Sequence, residues 1–348
     1  MKTLPVLYAL LAAVCYGISV PLSKLLLAGI PSALLAALLY LGAGLGMAVV
    51  TAARSGRKER AEARLSKADL PYTVAMVVLD IAAPLCLLFG LAQTTAETAS
   101  LLGNFEIAAT SVIALFVFRE AIGRRMWVAI ALITVSSVLL SVEDFGRVKL
   151  SSGALLVLAA CVCWGVENNC TGRLSLKNPL QIVLIKGIGS GCGALLIAWL
   201  TGGAAGVSLV YVPFALALGF VAYGLSIYFY ILAQRGLGAA RTSAFYAVAP
   251  FVGVALSFAV FREVPGISFF AALALMAGGA YLTVSERHAH RHSHAELAHE
   301  HRHRHDDGHH GHSHGGQAAG EHSHPHLHGA ITHLHPHTPD QHHSHTHE

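Results

Sequence analysis

The sequence predicts an all-α integral membrane protein with ten transmembrane helices, arranged as two inverted five-helix repeats and followed by a disordered tail. Three observations support this fold class. The chain is 54% hydrophobic and only 12% charged, whereas soluble domains are about 25% charged. Three tripeptides recur in the same order in its two halves. All 23 histidines lie at or beyond His288.

Ten apolar stretches are each long enough to cross the hydrocarbon core, which takes about 20 helical residues. A bilayer offers the backbone no hydrogen-bonding partners, so these stretches are expected to be helices rather than open strands. The first stretch is longer than the apolar region of a secretory signal peptide, so we interpret it as a span. The predicted spans, numbered 1 to 10 below, are 4–25, 31–52, 70–92, 97–117, 125–142, 152–171, 179–200, 209–233, 239–260 and 265–284.

Basic residues are concentrated in the even-numbered connections between these spans. Those connections carry Arg54, Arg57, Lys58, Arg60, Arg64, Lys67, Arg119, Arg124, Arg125, Arg173, Lys177, Arg235 and Arg241. The odd-numbered connections carry only Lys24, Arg147, Lys149 and Arg262. Because short cytoplasmic loops are enriched in Lys and Arg, both termini are predicted to be cytoplasmic in a cell (inner or plasma) membrane.

The two halves of the chain carry matching motifs. The matches are CYG at Cys15–Gly17 with CWG at Cys163–Gly165, LAQ at Leu91–Gln93 and Leu232–Gln234, and FRE at Phe118–Glu120 and Phe261–Glu263. A unit of five helices crosses the membrane an odd number of times, so its second copy is inserted upside down. Inverted repeats are typical of secondary transporters, with the site near the midplane between the halves. The predicted boundaries are 1–144 and 145–287 for the repeats and 288–348 for the tail.

The stretch AYGLSIYFYILAQRGLGAARTSAFYAVAPFVGVALSFAVFRE, residues 222–263, resembles the second half of an EamA-type transporter of the drug/metabolite transporter superfamily. The resemblance covers about residues 5–284. It implies ten helices in two EamA repeats and secondary active transport, commonly the export of small metabolites. That family usually has proline in the fourth helix of each repeat. Pro250 matches this pattern, whereas the first half has Ile107 near the equivalent place, beside Glu106.

Several other classes of function lack support in the sequence. No Walker A pattern occurs, so ATP-driven pumping by this chain alone is not predicted. Nothing resembles a nucleophile elbow, and an enzyme is therefore not predicted. No long block of like charge indicates a nucleic-acid partner.

Polar residues inside the predicted spans are candidates for the transport pathway, because such groups are costly in a bilayer. They are Asp80, Asn104, Glu106, Glu167, Asn168, Asn169 and Lys186. Alternatively, some of them form structural ion pairs, such as Glu167 with Lys186. A poorly solvated carboxyl group is a natural carrier of coupling protons. Glu106 is the first choice for that role and Asp80 is the second.

Three smaller patterns lie within the spans. Cys163, Glu167 and Cys170 share one helix face and could hold zinc, although cysteines more often serve as small packing residues. The segment GIGSGCG, Gly187–Gly193, contains two overlapping GxxxG spacings, which predicts a close contact between helices. Aromatic residues that either line a cavity or pack at an interface are Tyr16, Trp164, Tyr223 and Tyr246.

The tail repeats the unit His-x-His and shows no apolar periodicity, so we expect it to be disordered without metal. Alternate residues of an extended chain point the same way, so each unit offers two imidazoles to zinc, nickel, cobalt or copper. The irregular spacing predicts many weak, exchangeable sites, and sensing of pH is the alternative. The predicted ligands are His312, His314, His322, His324, His326, His328, His333, His335, His337, His342, His343, His345 and His347.

Together these patterns predict a secondary transporter that exports a small metabolite or a divalent metal and requires no cofactor. Its expected partners are the lipid bilayer, the transported substrate and divalent metal ions at the tail, and a homodimer is left open. The alternative is a membrane-anchored metal store or sensor without transport activity. The sequence names neither the substrate nor the coupling ion.

Overall fold

The structure is a computed structural model, and it describes most of the chain. The described residues are 3–54, 63–118, 124–144, 149–175, 177–202, 207–237, 242, 245–262, 266–285, 288–294, 297–303, 322–328 and 331–337. Six helices are long and apolar enough to cross a membrane. Shorter apolar helices lie at Trp127–Leu140, Ala249–Phe261 and Ile267–Leu282. The protein is therefore a multi-pass membrane protein.

The first half contains seven helices that account for five spans. They are α1 (Thr3–Gly17) and α2 (Ser19–Leu26) in span 1, α3 (Ser32–Arg54), α4 (Leu70–Gln93), α5 (Ala96–Leu102) and α6 (Phe105–Phe118) in span 4, and α7 (Arg124–Ser141). A 3₁₀ turn, Lys67–Asp69, precedes α4. Two short antiparallel strands, β1 (Val142–Asp144) and β2 (Lys149–Leu150), connect the halves.

The second half repeats this order. Its helices are α8 (Ser152–Leu174), α9 (Pro179–Leu200), α10 (Val212–Gly219) and α11 (Ser226–Leu237) in span 8, α12 (Ala249–Phe261) and α13 (Ile267–Ser285). A 3₁₀ turn, Leu209–Tyr211, precedes α10, and a π-helical segment, Phe220–Leu225, joins α10 to α11. Over the described residues, the ten predicted spans coincide with these helical segments. Spans 1, 4 and 9, however, are interrupted.

The contacts between helices map onto one another when the two halves are exchanged. Span 3 packs on span 6 through α4 and α8, and span 1 packs on span 8 through α1 and α11. Likewise α6 packs on α8 and α1 packs on α12. Span 2 packs on span 8 through α3 and α10, and its equivalent is the contact of span 7 with span 3 through α9 and α4. Three further contacts join a span to its own counterpart: α3 with α9, α5 with α12, and α7 with α13. This is the contact pattern expected of two inverted repeats.

The repeated tripeptides place a glycine at equivalent helix contacts. A Cβ added to Gly17 in span 1 would lie 2.6 Å from the carbonyl oxygen of Ala249 in span 9. A Cβ added to Gly165 in span 6 would lie 3.0 Å from the backbone nitrogen of Thr110 in span 4. The glycines of the CYG and CWG motifs therefore have the same role in the two halves: each allows two helix backbones to approach more closely than any other residue would.

The predicted contact at Gly187–Gly193 is present between α9 and α3. A Cβ on Gly187 would lie 2.6 Å from the Cα of Gly44 and 2.9 Å from the carbonyl oxygen of Tyr40. A Cβ on Gly191 would lie 2.8 Å from the backbone nitrogen of Leu41. Because lipid gives helices no hydrophobic reason to associate, close packing of small residues holds such an interface together.

Basic residues from three connections meet at one end of the bundle. Arg54 donates a hydrogen bond to the Tyr228 hydroxyl (2.9 Å), and its guanidinium lies 5.8 Å from the centre of that ring. Arg235 donates to the carbonyl oxygen of Lys177 (2.6 Å), and the Lys177 ammonium lies 3.7 Å from Asp69. The second, sixth and eighth connections thus lie at the same end of the bundle. That this end is cytoplasmic stays a prediction.

The tail contains four seven-residue strands, β3 (His288–His294), β4 (Leu297–His303), β5 (His322–His328) and β6 (Ile331–His337). Strand β3 pairs with β6 and β4 pairs with β5, both antiparallel. This pairing differs from the expectation of a tail without regular structure, because an alternating sequence permits extended backbone pairing. Disorder of the metal-free tail stays a prediction.

The glycine contact between α3 and α9 leads to a first prediction. Gly187→Ala should lower the thermal stability of the detergent-solubilised protein, since the added methyl meets backbone that cannot move aside. Overpacking of this kind costs about 1–3 kcal/mol. Gly278→Ala in α13 is the control, because its nearest neighbour would be Leu132 Cδ1 at 3.7 Å. Equal unfolding temperatures for the two variants would show that the close contact is unimportant.

Candidate functional site

Three spans lose their regular helix near the middle of the bundle. Span 1 is interrupted at Ile18 and span 4 at Gly103–Asn104. Span 9 has turns at 247–248, and Pro250 follows in the first turn of α12. Proline fits the first turn of a helix because its missing N–H needs no partner there. Spans 4 and 9 occupy corresponding positions of the two halves, whereas span 6, the counterpart of span 1, is one continuous helix. Interrupted helices in corresponding positions indicate where a transporter binds its substrate.

The interruptions surround a small, narrow cleft between the two halves. Its walls come from spans 1, 3, 4, 6 and 9. The lining residues are Tyr16, Gly17, Val20, Leu87, Ala99, Ser100, Gly103, Val157, Cys161, Trp164, Ala249, Pro250 and Gly253. Apart from the Tyr16 and Ser100 hydroxyls, the Cys161 thiol and the indole N–H, these side chains are apolar. Mostly apolar walls with a few polar groups are typical of small-molecule sites.

Aromatic rings form a continuous cluster beside the cleft. The Tyr16 ring lies 6.1 Å from the ring of Trp164, 5.9 Å from that of Tyr223 and 5.7 Å from that of Tyr246. The ring of Tyr40 lies 5.1 Å from that of Tyr223. These four predicted aromatic residues, together with Tyr40, therefore meet where the halves join. Tyr223 lies in the π-helical segment, a distortion that often marks functional sites.

A buried charge cluster lies on the other side of these rings. The Lys186 ammonium is 3.1 Å from a carboxylate oxygen of Asp80 and 3.0 Å from one of Glu167. The three side chains are at most 5% exposed and come from α9, α4 and α8. Thr171 donates a hydrogen bond to Glu167, and Tyr40 donates to Asp80 (2.9 Å). Such pairing and hydrogen bonding are what allow charge to be buried.

Glu106 occupies the first turn of α6, directly after the interruption of span 4. Its carboxylate accepts a hydrogen bond from the Asn168 amide (2.6 Å) in span 6. The Asn169 amide donates to the carbonyl oxygens of Gly165 (2.8 Å) and Thr110 (3.4 Å). Asn168 and Asn169, which follow Glu167 in span 6, thus both form hydrogen bonds with span 4.

Four residues of span 4 have a buried polar side-chain atom with no hydrogen-bond partner among the described residues, namely Glu97, Ser100, Asn104 and Thr110. Neither side-chain atom of Asn104 has one, although this residue is only 1% exposed. The Ser100 hydroxyl, which lines the cleft, also lacks one. Buried polar atoms are rarely left unpaired without a reason, such as a ligand or water that binds there.

The seven predicted pathway residues fall into two groups. Asp80, Glu167 and Lys186 form the charge cluster, so the Glu167–Lys186 ion pair that the sequence suggested is present. The interrupted span 4 and the facing part of span 6 hold the rest, namely Asn104, Glu106, Asn168 and Asn169. That any of them carries substrate or protons stays a prediction.

The cysteines do not assemble a metal site in the described part of the bundle. No group of three His, Cys, Asp or Glu there is arranged to hold a metal ion. Glu167, the expected partner of Cys163 and Cys170, binds Lys186 and Thr171 instead. The cysteines of the structure are free. The packing interpretation of Cys163 and Cys170 therefore agrees with the geometry.

Several residues of the site were not predicted from the sequence. Tyr40 and Thr171, which bind the buried carboxylates, look like ordinary members of apolar spans. Ser100 and Cys161 of the cleft were likewise missed. One signal was present: Gly103-Asn104 is a turn-forming dipeptide inside an apolar run, and it marks the interruption of span 4.

Comparison with known proteins agrees with this architecture. The model of the EamA-like transporter family matches residues 3–142 and 151–285. A protein of Methanothermobacter thermautotrophicus strain Delta H, described as an uncharacterized transporter, is 29% identical over 268 residues, covering 72% of this chain and 78% of its own. A crystal structure with 17% identity and a TM-score of 0.62 covers 80% of this chain and 94% of its own, and so shares the fold.

The inverted repeats and the cleft between them define a membrane transporter. The family match covers both halves of the bundle, one copy in each. The chain belongs to the EamA-like transporter family.

The charge cluster leads to a second prediction. Lys186→Met should strongly destabilise the protein, because it leaves two buried carboxylates without their cation. Removing one partner of a buried ion pair costs roughly 3–5 kcal/mol. The triple variant Lys186→Met, Asp80→Asn, Glu167→Gln should recover most of that loss, since no charge is then buried. Thermal unfolding in detergent measures both. A triple variant no more stable than the single one would contradict the assignment.

Proposed function

We propose that this protein is a secondary active exporter of a small organic metabolite, coupled to protons, with a cytosolic tail that binds metal and regulates transport. The observation that carries the proposal is the cleft at the meeting point of three interrupted spans. It lies between inverted repeats, where alternating access exposes a site first to one side and then to the other.

The contents of the bundle favour an organic substrate over a metal ion. Mostly apolar side chains and aromatic rings line the cleft, and such walls suit the carbon skeleton of a metabolite. A divalent cation needs several anionic or imidazole ligands. In the described bundle two of the three central carboxylates, Asp80 and Glu167, are already bound by Lys186. A metal ion would have to displace that ammonium.

Glu106 is the best placed group to carry a coupling proton. The Lys186 ammonium neutralises Asp80 and Glu167 directly, whereas the side-chain partner of Glu106 among the described residues is the neutral Asn168 amide. It lies one turn from Gly103, which lines the cleft. A proton on Glu106 and a polar group of the substrate could therefore be exchanged within one region, as coupled transport requires.

The tail is proposed to regulate rather than to supply cargo. Histidine is confined to the tail, and neutral imidazole is a good ligand for zinc, nickel, cobalt and copper. The bundle offers those metals no matching set of ligands among its described residues. Metal bound at the tail would then act on the cytosolic face of the bundle. The alternative, a metal store or sensor, requires a bundle that does not transport.

Transport by inside-out vesicles tests the function. Amino acids, amines, nucleosides and Zn²⁺ are added singly while a pH-sensitive dye reports the proton gradient. We expect one organic class to dissipate the gradient and Zn²⁺ not to. Glu106→Gln should lower that proton-coupled flux at least about 100-fold, the scale of losing a positioned proton carrier.

Glu97→Gln is the matched control for that experiment. It removes a carboxyl group from the same span, and Glu97 is as buried as Glu167. Glu97 lies in the first turn of α5, at the far end of that helix from the interruption, whereas Glu106 directly follows the interruption in α6. This variant should keep transport. Full transport by both Glu106→Gln and Asp80→Asn would contradict the site, and the absence of any coupled solute would favour the store or sensor.

The role of the tail is tested separately. Deleting residues 288–348 should leave metabolite transport intact and abolish its response to micromolar Zn²⁺ on the cytosolic side. A full-length variant with every tail histidine replaced by glutamine controls for the bulk of the tail and should behave in the same way. A response to Zn²⁺ that survives both changes would place the regulatory metal elsewhere.

A further inference from the structure

The strands of the tail place histidine opposite histidine. In the pairing of β3 with β6 the facing residues are His288 with His337, His290 with His335, and His292 with His333. In the pairing of β4 with β5 they are His299 with His326, His301 with His324, and His303 with His322. The backbone therefore builds two ladders, each with three rungs of paired histidines.

The spacing of the histidines in the sequence fits this arrangement. The two ladders share one register, because the numbers of the paired residues add up to the same total in both. Histidine alternates along each strand and changes from even to odd positions between β3 and β4. It makes the same change between β5 and β6, and the interval from His294 to His299 equals that from His328 to His333. If one of these two intervals were odd and the other even, histidine would face a different type of residue in one of the two ladders.

Neighbouring rungs supply the number of ligands that a metal needs. Residues directly opposite each other in an antiparallel pair have Cβ atoms about 4.5–5.5 Å apart. Alternate residues of a strand lie on one face, with a rise of about 3.3 Å per residue. Two neighbouring rungs, such as His288, His290, His335 and His337, thus place four histidines on one face. Four nitrogen ligands satisfy tetrahedral zinc.

We expect the paired strands of the two ladders to be stable only when metal is bound. A two-stranded hairpin without a packed apolar face is marginally stable at best in water. Pro325 and Pro336 each remove a backbone donor from their strands. They stand opposite Glu300 and Ala289, between the histidine rungs, so they weaken the hairpin without interrupting a rung. Metal binding releases free energy that can order such a chain.

We propose that the tail is a metal-dependent hairpin in which zinc is held by facing histidine rungs, one tightly bound ion in each ladder. The inference deepens the proposed metal binding of the tail and rests on it. It replaces many equivalent weak sites with two defined ones. It also adds histidines of β3 and β4 to the ligands predicted from the sequence. Of the ligands first predicted, His312, His314, His342, His343, His345 and His347 lie outside the described residues, and His328 faces Leu297.

The experiment changes the register of the histidines and keeps the composition. In the full-length protein in nanodiscs, residues 331–337 are permuted so that their three histidines stand at 332, 334 and 336. This moves them away from their mates in β3. A matched permutation moves the histidines at 312 and 314 to 311 and 313, outside both ladders. Zinc content is measured by mass spectrometry after dialysis against a buffer of fixed, submicromolar free Zn²⁺.

We expect about two tightly bound Zn²⁺ per chain for the natural sequence and for the matched permutation, and about one for the permuted β6. Amide hydrogen exchange should show zinc-induced protection of 288–294 and 331–337 in the natural sequence, lost in the permuted β6 but kept at 297–303. Equal zinc content and no protection in all three proteins would overturn the hairpin and leave a tail of independent sites. No zinc bound by any of them would instead overturn the proposed metal binding itself.

Discussion

The ammonium of Lys186, held between the carboxylates of Asp80 and Glu167, is the interaction on which the arrangement of the bundle depends. Water is excluded here, so an unpaired charge would cost several kcal/mol. The three side chains come from α9, α4 and α8, and two of these helices belong to the second half. The ion cluster can therefore form only when the two halves are correctly docked. Its geometry in turn requires the close approach of α9 to α3 at Gly187 and Gly44.

The same cluster is connected to the cleft by hydroxyl groups and rings. The Tyr40 hydroxyl donates to Asp80, and the Tyr40 ring lies 5.1 Å from the ring of Tyr223. The Tyr223 hydroxyl in turn accepts a hydrogen bond from Ser19 (3.2 Å). Tyr16 then contacts Tyr223 and lines the cleft. A rearrangement of spans 3, 6 and 7 would disturb the ion pairs and, through this chain, the wall of the cleft. The charge cluster and the cleft are thus connected by an unbroken series of side-chain contacts.

Much of the fold was predictable from the sequence, because a bilayer reduces the problem to apolar runs and their flanking charges. The ten spans, the family and the glycine contact of span 7 were confirmed. The interruptions of spans 1 and 4 were not predicted, since hydropathy does not distinguish one long helix from two short ones. Some partners of the buried charges could be predicted from the sequence, since the Glu167–Lys186 ion pair followed from charge alone. The hydrogen bonds of Tyr40 and Thr171 to these carboxylates could not be predicted, because nothing in the sequence shows which hydroxyl the fold brings to a carboxylate.

The segregation of histidine follows from the chemistry of the two parts of the chain. An imidazole in the bundle would change charge near neutral pH and would be a ligand for zinc. Under the function proposed above, a bundle without imidazole keeps its buried charges independent of zinc. A histidine-rich tail would then bind metal apart from the transport pathway. The tail follows α13, which ends at Ser285, so we expect a change in the tail to reach the bundle through span 10.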